Sequence, residues 1–404
     1  MKICYYVCDV VYIGIKVMMN SLDISNFKGF KKLSIPKLGR LNLIVGKNNS
    51  GKSSVLEALM LYASGGSESI FRDISISHDE KIRQRNPYNE FNESASNNKT
   101  LEINFDVDFD VNDFFPYEHL FHGRRFNKNQ IIIGEIDGEE QLNISFIKRR
   151  SISNNKKNEF IKMLKQFDLE VSPSESSALN ILEVKKGRFK HSISLSEPFS
   201  YSNMADSDER SRINFRHVKT SFESMDTLGA LWDKITLTDF ERIVIKSLRL
   251  IDPSITDLRF INKHERRSSR TAIIKLEDGS IFPIKSMGDG IVRVLELVLN
   301  LYSARDGFFL IDEFDNGLHF SVQKPLWEII FNLASYLNIQ VFATTHSWDC
   351  IQSFTEVALE NKEVDGALLK IGKSKLSKNK GEAIVTVFNE DTLSTITQKM
   401  VEVR

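Results

Sequence analysis

The sequence predicts an α/β protein with a mixed sheet, an N-terminal antiparallel β layer and a large α+β insertion. Three observations carry that expectation. The apolar strand Leu41–Val45 runs into Gly46-Lys47-Asn48-Asn49-Ser50-Gly51-Lys52-Ser53, a G-x-x-x-x-G-K-S loop, and then into helix-forming residues from Val55. Two later apolar runs, 308–311 and 339–343, end abruptly in polar residues, as buried parallel strands do. Between the two halves the chain turns polar and loses a fixed period over 149–225, which reads as an insertion.

The bulk numbers bound the answer. A chain of 404 residues is long enough for two or more cores. Lys+Arg and Asp+Glu both total 54, so net charge argues neither for nor against nucleic acid, and only local patches bear on it. The cysteines Cys4, Cys8 and Cys350 form an odd set without metal-ligand spacing, which fits a reducing, cytoplasmic setting. Residues 1–20 read as an atypical extension, with Met18 or Met19 as the expected start. That stretch is broken by Asp9 and Lys16, is too short to span a bilayer and lacks a cleavage site, so no membrane partner is expected.

In chain order, Leu22, Ile24, Phe27, Phe30, Leu33 and Ile35 alternate as an antiparallel pair turning near Lys28-Gly29. A period-two strand is expected over 101–109, and a hairpin over 131–147 around Asp137-Gly138. A helical pattern runs from Leu237 to Ile251, stopped by Pro253. Strands follow at 258–261, 272–276 and 281–284, then a helix over 291–304 that is apolar on most faces and so buried. A strand over 383–388 and a short helix close the chain. The expected division is an extension (1–20), a first half-domain (21–110), an insertion (111–270) and a second half-domain (271–404).

The chemistry concentrates at strand ends. Gly46 and Gly51 let backbone wrap an anion, and unpaired amides at the helix start, through Ser54, point at the same place. Lys52 would lie against β- and γ-phosphates, and the Ser53 hydroxyl would complete a Mg²⁺ shell. Asp312 ends a buried strand where such folds reach the metal, and Glu313 beside it suits a general base. A strand ending in acids is common at surfaces and gains specificity only after a phosphate loop. His346 ends another strand, either structurally or as a hydrogen-bond partner of the γ-phosphate or attacking water. Ser286, Gly288 and Gly290 precede the buried helix and form either an anion site or an ordinary serine N-cap.

These four pieces, in this order, resemble the ABC-type ATPase heads of the SMC-like and OLD-like AAA ATPases, over 22–64 and 280–355. The resemblance makes Gly46–Ser53, including Asn48, Asn49 and Ser50, the Walker A loop and Ser286–Asp289 the signature. It makes Asp312-Glu313 the Walker B pair, Asp315 to His319 the D-loop and His346 the switch histidine. Met287 stands where the family usually has glycine, and His319 where transporters have an aspartate, closer to the OLD-like branch. The RecA-like head so implied binds ATP with Mg²⁺ and hydrolyses it slowly to ADP and phosphate. It works as a homodimer or higher homo-oligomer with ATP at the interface, Ser286 and Gly288 completing the opposite subunit's pocket.

OLD-like enzymes carry a TOPRIM nuclease after the ATPase. Only about fifty residues follow the His346 strand, so cutting is expected from a separate nuclease effector. Stand-alone ATPases of this kind resemble regulatory subunits of bacterial anti-phage systems, which is the leading expectation for role. The alternative is an SMC-like repair or recombination ATPase, with DNA as partner. Its support is local: Lys148-Arg149-Arg150, Lys185-Lys186-Gly187-Arg188 and Lys263-His264-Glu265-Arg266-Arg267 with Arg270, runs that also read as solvated loops. A transporter ATPase fits poorly because of the insertion and His319.

Overall fold

The computed structural model describes residues 18–80, 82–83, 113–150, 178–195, 212–264, 267–361, 363–374 and 381–388. Strands β1 (Leu22–Phe27) and β2 (Phe30–Ile35) form the expected hairpin, with Lys28 in the left-handed region at φ 46°. β3 (Leu41–Val45) is buried along its length and feeds α1 (Lys52–Ala63), followed by α2 (Glu68–Ser77). β4 (Ile82–Arg83) pairs with β5 (Asp113–Phe114). Then come β6 (Ile131–Gly134), β7 (Leu142–Arg150), β8 (Ala178–Lys186), β9 (Phe189–Ser194) and β10 (Asn214–Val218). Helices α3 (Met225–Ile235) and α4 (Asp239–Leu248) precede β11 (Ile255–His264), β12 (Arg267–Leu276) and β13 (Ile281–Pro283). A 3-10 turn, Ile284–Met287, opens α5 (Asp289–Ser303), which leads to β14 (Gly307–Ile311). The chain continues through α6 (Phe320–Tyr336), β15 (Gln340–Thr345), α7 (Trp348–Glu360), β16 (Gly366–Lys373) and β17 (Ala383–Phe388).

Two sheets organise these elements. One has the order β10-β14-β15-β3-β16-β17, parallel except for β17 at its edge. The other is antiparallel, β2-β1-β6-β7-β8-β9. Strand pleating sends alternate side chains to opposite faces. Leu43, Val45, Phe309 and Ile311 therefore join the core beneath α3 to α7, while Ile44, Phe308 and Leu310 join the core shared by α1, α2 and the antiparallel sheet. Helix α1 lies between the sheets and is buried from Val55 to Ala63 without interruption. This is an α/β architecture with a mixed sheet and an antiparallel layer, as the sequence predicts, though only β1 and β2 of that layer come from the N-terminal segment.

The structure differs from the sequence reading in three places. The segment expected as an insertion over 111–270 supplies β6 to β9 to the antiparallel sheet and β10 to the parallel one. Alternation marks a strand but not its partner, and the pairing of Ile24 with Ile133 bridges 109 residues that look polar in part. The helical pattern from Leu237 is α4, capped by Thr238, but a further helix that the sequence reading does not include, α3, capped by Ser224, precedes it, and Leu237 stands 93% exposed at φ 67° in the turn between them. Residues 180–186, within the polar stretch, form a strand that buries Leu182 and Val184. Residues 1–17, the strand expected at 101–109 and the terminal helix lie outside the described residues. No helix among the described residues is long and apolar enough to cross a membrane.

Candidate functional site

The loop after β3 is shaped by glycines whose missing side chains matter. A Cβ on Gly46 would come within 2.5 Å of the Ile371 carbonyl oxygen and 2.8 Å of Ser50 Oγ. Gly51, at φ 99°, caps α1 in the left-handed region, and a Cβ there would strike the Phe30 ring. No side chain caps the helix, so its first amides face the loop. Lys47, Asn48 and Asn49 are exposed at the loop's crest, with Asn49 left-handed at φ 61°. The buried Ser50 hydroxyl has no partner among the described residues. A loop with bare amides, an orphaned hydroxyl and a lysine fits a polyphosphate.

Lys52 Nζ donates to the carbonyls of Gly46 (2.9 Å) and Lys47 (3.3 Å). Burial pushes its pKa down, while Asp312 and then Glu313 oppose that shift. Ser53 Oγ lies 3.3 and 3.2 Å from the two carboxylate oxygens of Asp312. A hydroxyl and a carboxylate side by side are a hard oxygen pair that suits Mg²⁺. Thus Ser53 and Asp312 fit the metal, and the loop fits the phosphates of ATP.

The acids are held from behind. Thr344, at the end of β15, donates its hydroxyl to Asp312 at 2.6 Å and accepts the Glu313 amide at 2.9 Å. Glu313 itself is left-handed at φ 48°, unusual for a residue with a Cβ. Phe314, directly after it, is buried and stacks on Trp327 of α6 with ring centroids 3.9 Å apart. His346 Nδ1 is 3.7 Å from the Glu313 carboxylate, and both side chains are partly exposed. Thr345 donates its hydroxyl to Asp315, linking the end of β15 to the turn after β14.

Ser286 and Gly288 sit elsewhere. Ser286 is exposed within the 3-10 turn, and its hydroxyl donates to Pro283 O at 2.6 Å, so it is not the N-cap of α5. That cap is Gly288, at φ 93° and exposed, without a side-chain bond. Among the described residues no hydrogen bond or ion pair joins Ser286 or Gly288 to the Gly46–Ser54 loop. One chain therefore assembles Lys52, Ser53, Asp312, Glu313 and His346, and leaves the turn that carries Ser286 and Gly288 exposed. His319 has a local role, its ring nitrogen accepting the Ser321 amide as the N-cap of α6.

Sequence reading missed several residues. Thr344 is one polar residue in the run that leads to His346 and belongs to no motif of its own. Arg293 and Glu296 are 0% exposed inside α5 and form a 3.0 Å ion pair. A lone cation and anion at i and i+3 within an apolar helix were the available signal. His217, on β10, has both ring nitrogens buried without a partner among the described residues. Burial pushes its pKa down to about 4, with Asp312 opposing.

The basic runs are partly engaged. Lys186 is buried and donates to Tyr62 O at 2.9 Å, with its ammonium 4.1 Å over the Tyr62 ring. Arg270 pairs with both carboxylate oxygens of Asp233 at 2.6 and 2.9 Å. Arg266 lies outside the described residues.

A family model described as an AAA ATPase domain matches residues 18–351. An ATP/GTP phosphatase of Helicobacter pylori is 25% identical over 365 residues, covering 85% of this chain and 89% of that protein. The DNA replication and repair protein RecF of Clostridioides difficile is 39% identical over 49 residues, 12% of this chain and 13% of that protein. Similar solved structures include an Smc head bound to the C-winged helix domain of ScpA. It aligns with a TM-score of 0.47 at 15% identity, covering 94% of this chain and 99% of that one.

Proposed function

The chain belongs to the AAA ATPase domain family, and from that premise we propose that it binds Mg²⁺-ATP and hydrolyses it slowly to ADP and phosphate as an ATP-gated dimer. The observation that carries the proposal is the meeting of Ser53 with Asp312 at 3.2 Å, with Lys52 in the electrostatic reach of both Asp312 and Glu313. Gly46 to Ser54 hold the phosphates, and Ser53 and Asp312 hold the metal. When bound, Mg²⁺ neutralises charge on the transferred phosphoryl group. Lys52 adds a cation against the same oxygens. Glu313 accepts a proton from the attacking water, and His346 orients the γ-phosphate or that water. Ser286 and Gly288, exposed on their turn, complete the pocket of a second copy, with Asp315 also contributing to nucleotide binding.

Phosphate release measured with and without Mg²⁺ tests the reading. Metal-dependent turnover that vanishes in Lys52→Ala is the expected result. A purified chain that binds no nucleotide rejects it.

For biological role, we take the ATPase as an OLD-like regulatory subunit of an anti-phage system that controls a separate nuclease effector. This finer reading rests on the motif resemblance, the His319 D-loop above all. Purification with neighbouring gene products should recover a nuclease, and repeated recovery of the ATPase alone counts against it. The second reading is a DNA-binding ATPase of repair or recombination, favoured by the local match to a DNA replication and repair protein. Burial of Lys186 and pairing of Arg270 leave it fewer free cations. A steep loss of DNA affinity with salt would support it.

A further inference from the structure

The buried ion pair in α5 reaches three other segments. Arg293 Nη2 donates to the carbonyl oxygens of Asp312 (2.9 Å) and Glu313 (3.0 Å). Its Nη1 donates to Lys219 O (2.8 Å), just past β10, and to the Glu296 carboxylate (3.0 Å). The other oxygen of Glu296 accepts the Glu223 amide at 2.9 Å. One guanidinium thus fastens the helix that begins at Gly288 to the turn carrying both acids.

The position of Glu313 makes this fastening informative. A left-handed backbone disfavours a residue with a Cβ, and it persists only where the surroundings over-determine it. Here Thr344 takes the Glu313 amide and Arg293 takes the Glu313 carbonyl, so both faces of that residue's backbone are fixed. Removing a buried charge pair from water is costly, and apolar side chains would fill the same space at no such cost. What apolar side chains could not supply is direction to three carbonyls at once.

We propose that Arg293 is a positioning residue for Glu313: it holds the turn that aims this carboxylate and ties it to the start of α5, where Ser286 and Gly288 present themselves. The inference rests on the ATPase reading above, in which Glu313 acts on water. Contact made at Gly288 by a second copy would reach the acid through about one and a half turns of helix and one side chain.

The test compares nucleotide affinity with turnover. Wild-type protein must first turn over ATP; if it does not, the ATPase reading fails rather than this one. Arg293→Lys keeps the charge but loses the planar fork. It should lower kcat at least about tenfold while the Kd for ATP stays within about threefold. Added to Glu313→Gln, the same substitution should leave the residual rate unchanged, because its route to the reaction is already cut. Unchanged kcat in a folded variant, affinity falling in step with kcat, or losses that multiply in the double variant would each overturn the proposal. Should circular dichroism find Arg293→Lys unfolded, Glu296→Gln replaces it, leaving the guanidinium and neutralising its partner. The same split is expected there, and an unaltered kcat rejects the role.

Discussion

Thr344 bridges the two acids of the site, donating its hydroxyl to Asp312 at 2.6 Å and accepting the Glu313 amide at 2.9 Å. Neither contact is open to valine, which has nearly the same shape. Thr344→Val should therefore cost about 1–3 kcal/mol of stability, because a buried amide loses its partner. It should also raise the Mg²⁺ concentration needed for half-maximal turnover. Chemical denaturation and a metal titration of phosphate release check the two effects, and a variant matching wild type in both would deny Thr344 this role.

Lys52 donates within its own loop and is drawn electrostatically toward Asp312 and Glu313. Lys52→Ala removes a charge-assisted donor to phosphate, worth about 1.5–3 kcal/mol. ATP affinity should fall on the order of ten- to a hundredfold. Calorimetric titration reads it directly.

Glu313→Gln keeps the size of the side chain and removes the proton acceptor. Turnover should drop about 10²–10⁴-fold while ATP still binds. On the dimer reading, the variant should run at twice the monomer mass by light scattering when ATP is present, and at the monomer mass without it. An ATP-independent mass in this variant would remove the sandwich from the account.

His217 offers a prediction in pH. Its pKa is lowered from 6.5 to about 4 in the folded protein, first by burial, with Asp312 and Glu57 opposing and Lys219 and Arg293 adding to the shift. The unfolded chain therefore binds the extra proton first, and stability rises with pH across this window. The contribution is intact above about pH 6.5 and is lost as pH falls toward 4, on the order of 3 kcal/mol in all. His217→Leu should flatten the acid side of the stability profile between those values. An unchanged slope in urea melts would mean that the imidazole finds a proton partner when folded.

The phosphate loop was legible because its information is local: Gly46, Gly51, Lys52 and Ser53 are contiguous and flanked by a readable strand and helix. Asp312 and Glu313 were legible for the same reason. What escaped was pairing over distance. Nothing in residues 131–147 names β1 as their neighbour, so strands of the head were read as an insertion. Ser286 fitted a helix cap by pattern, yet its hydroxyl turns back to Pro283 and a bare glycine starts the helix. Arg293 stands on an apolar helix, and nothing in its spacing names the carbonyls of Asp312 and Glu313 as its partners.

Helix α1 has no solvent face from Val55 to Ala63, pinned between one sheet and the other. Its start rests on Phe30, and its Glu57 is held by Lys28 at 2.6 Å and by His78 at 2.6 Å. A segment clamped on every side has nowhere to swing when a ligand arrives. On the ATPase reading it would serve as an anvil: a stroke driven by nucleotide would fall to the helices across the parallel sheet, while the loop at the start of α1 stays still.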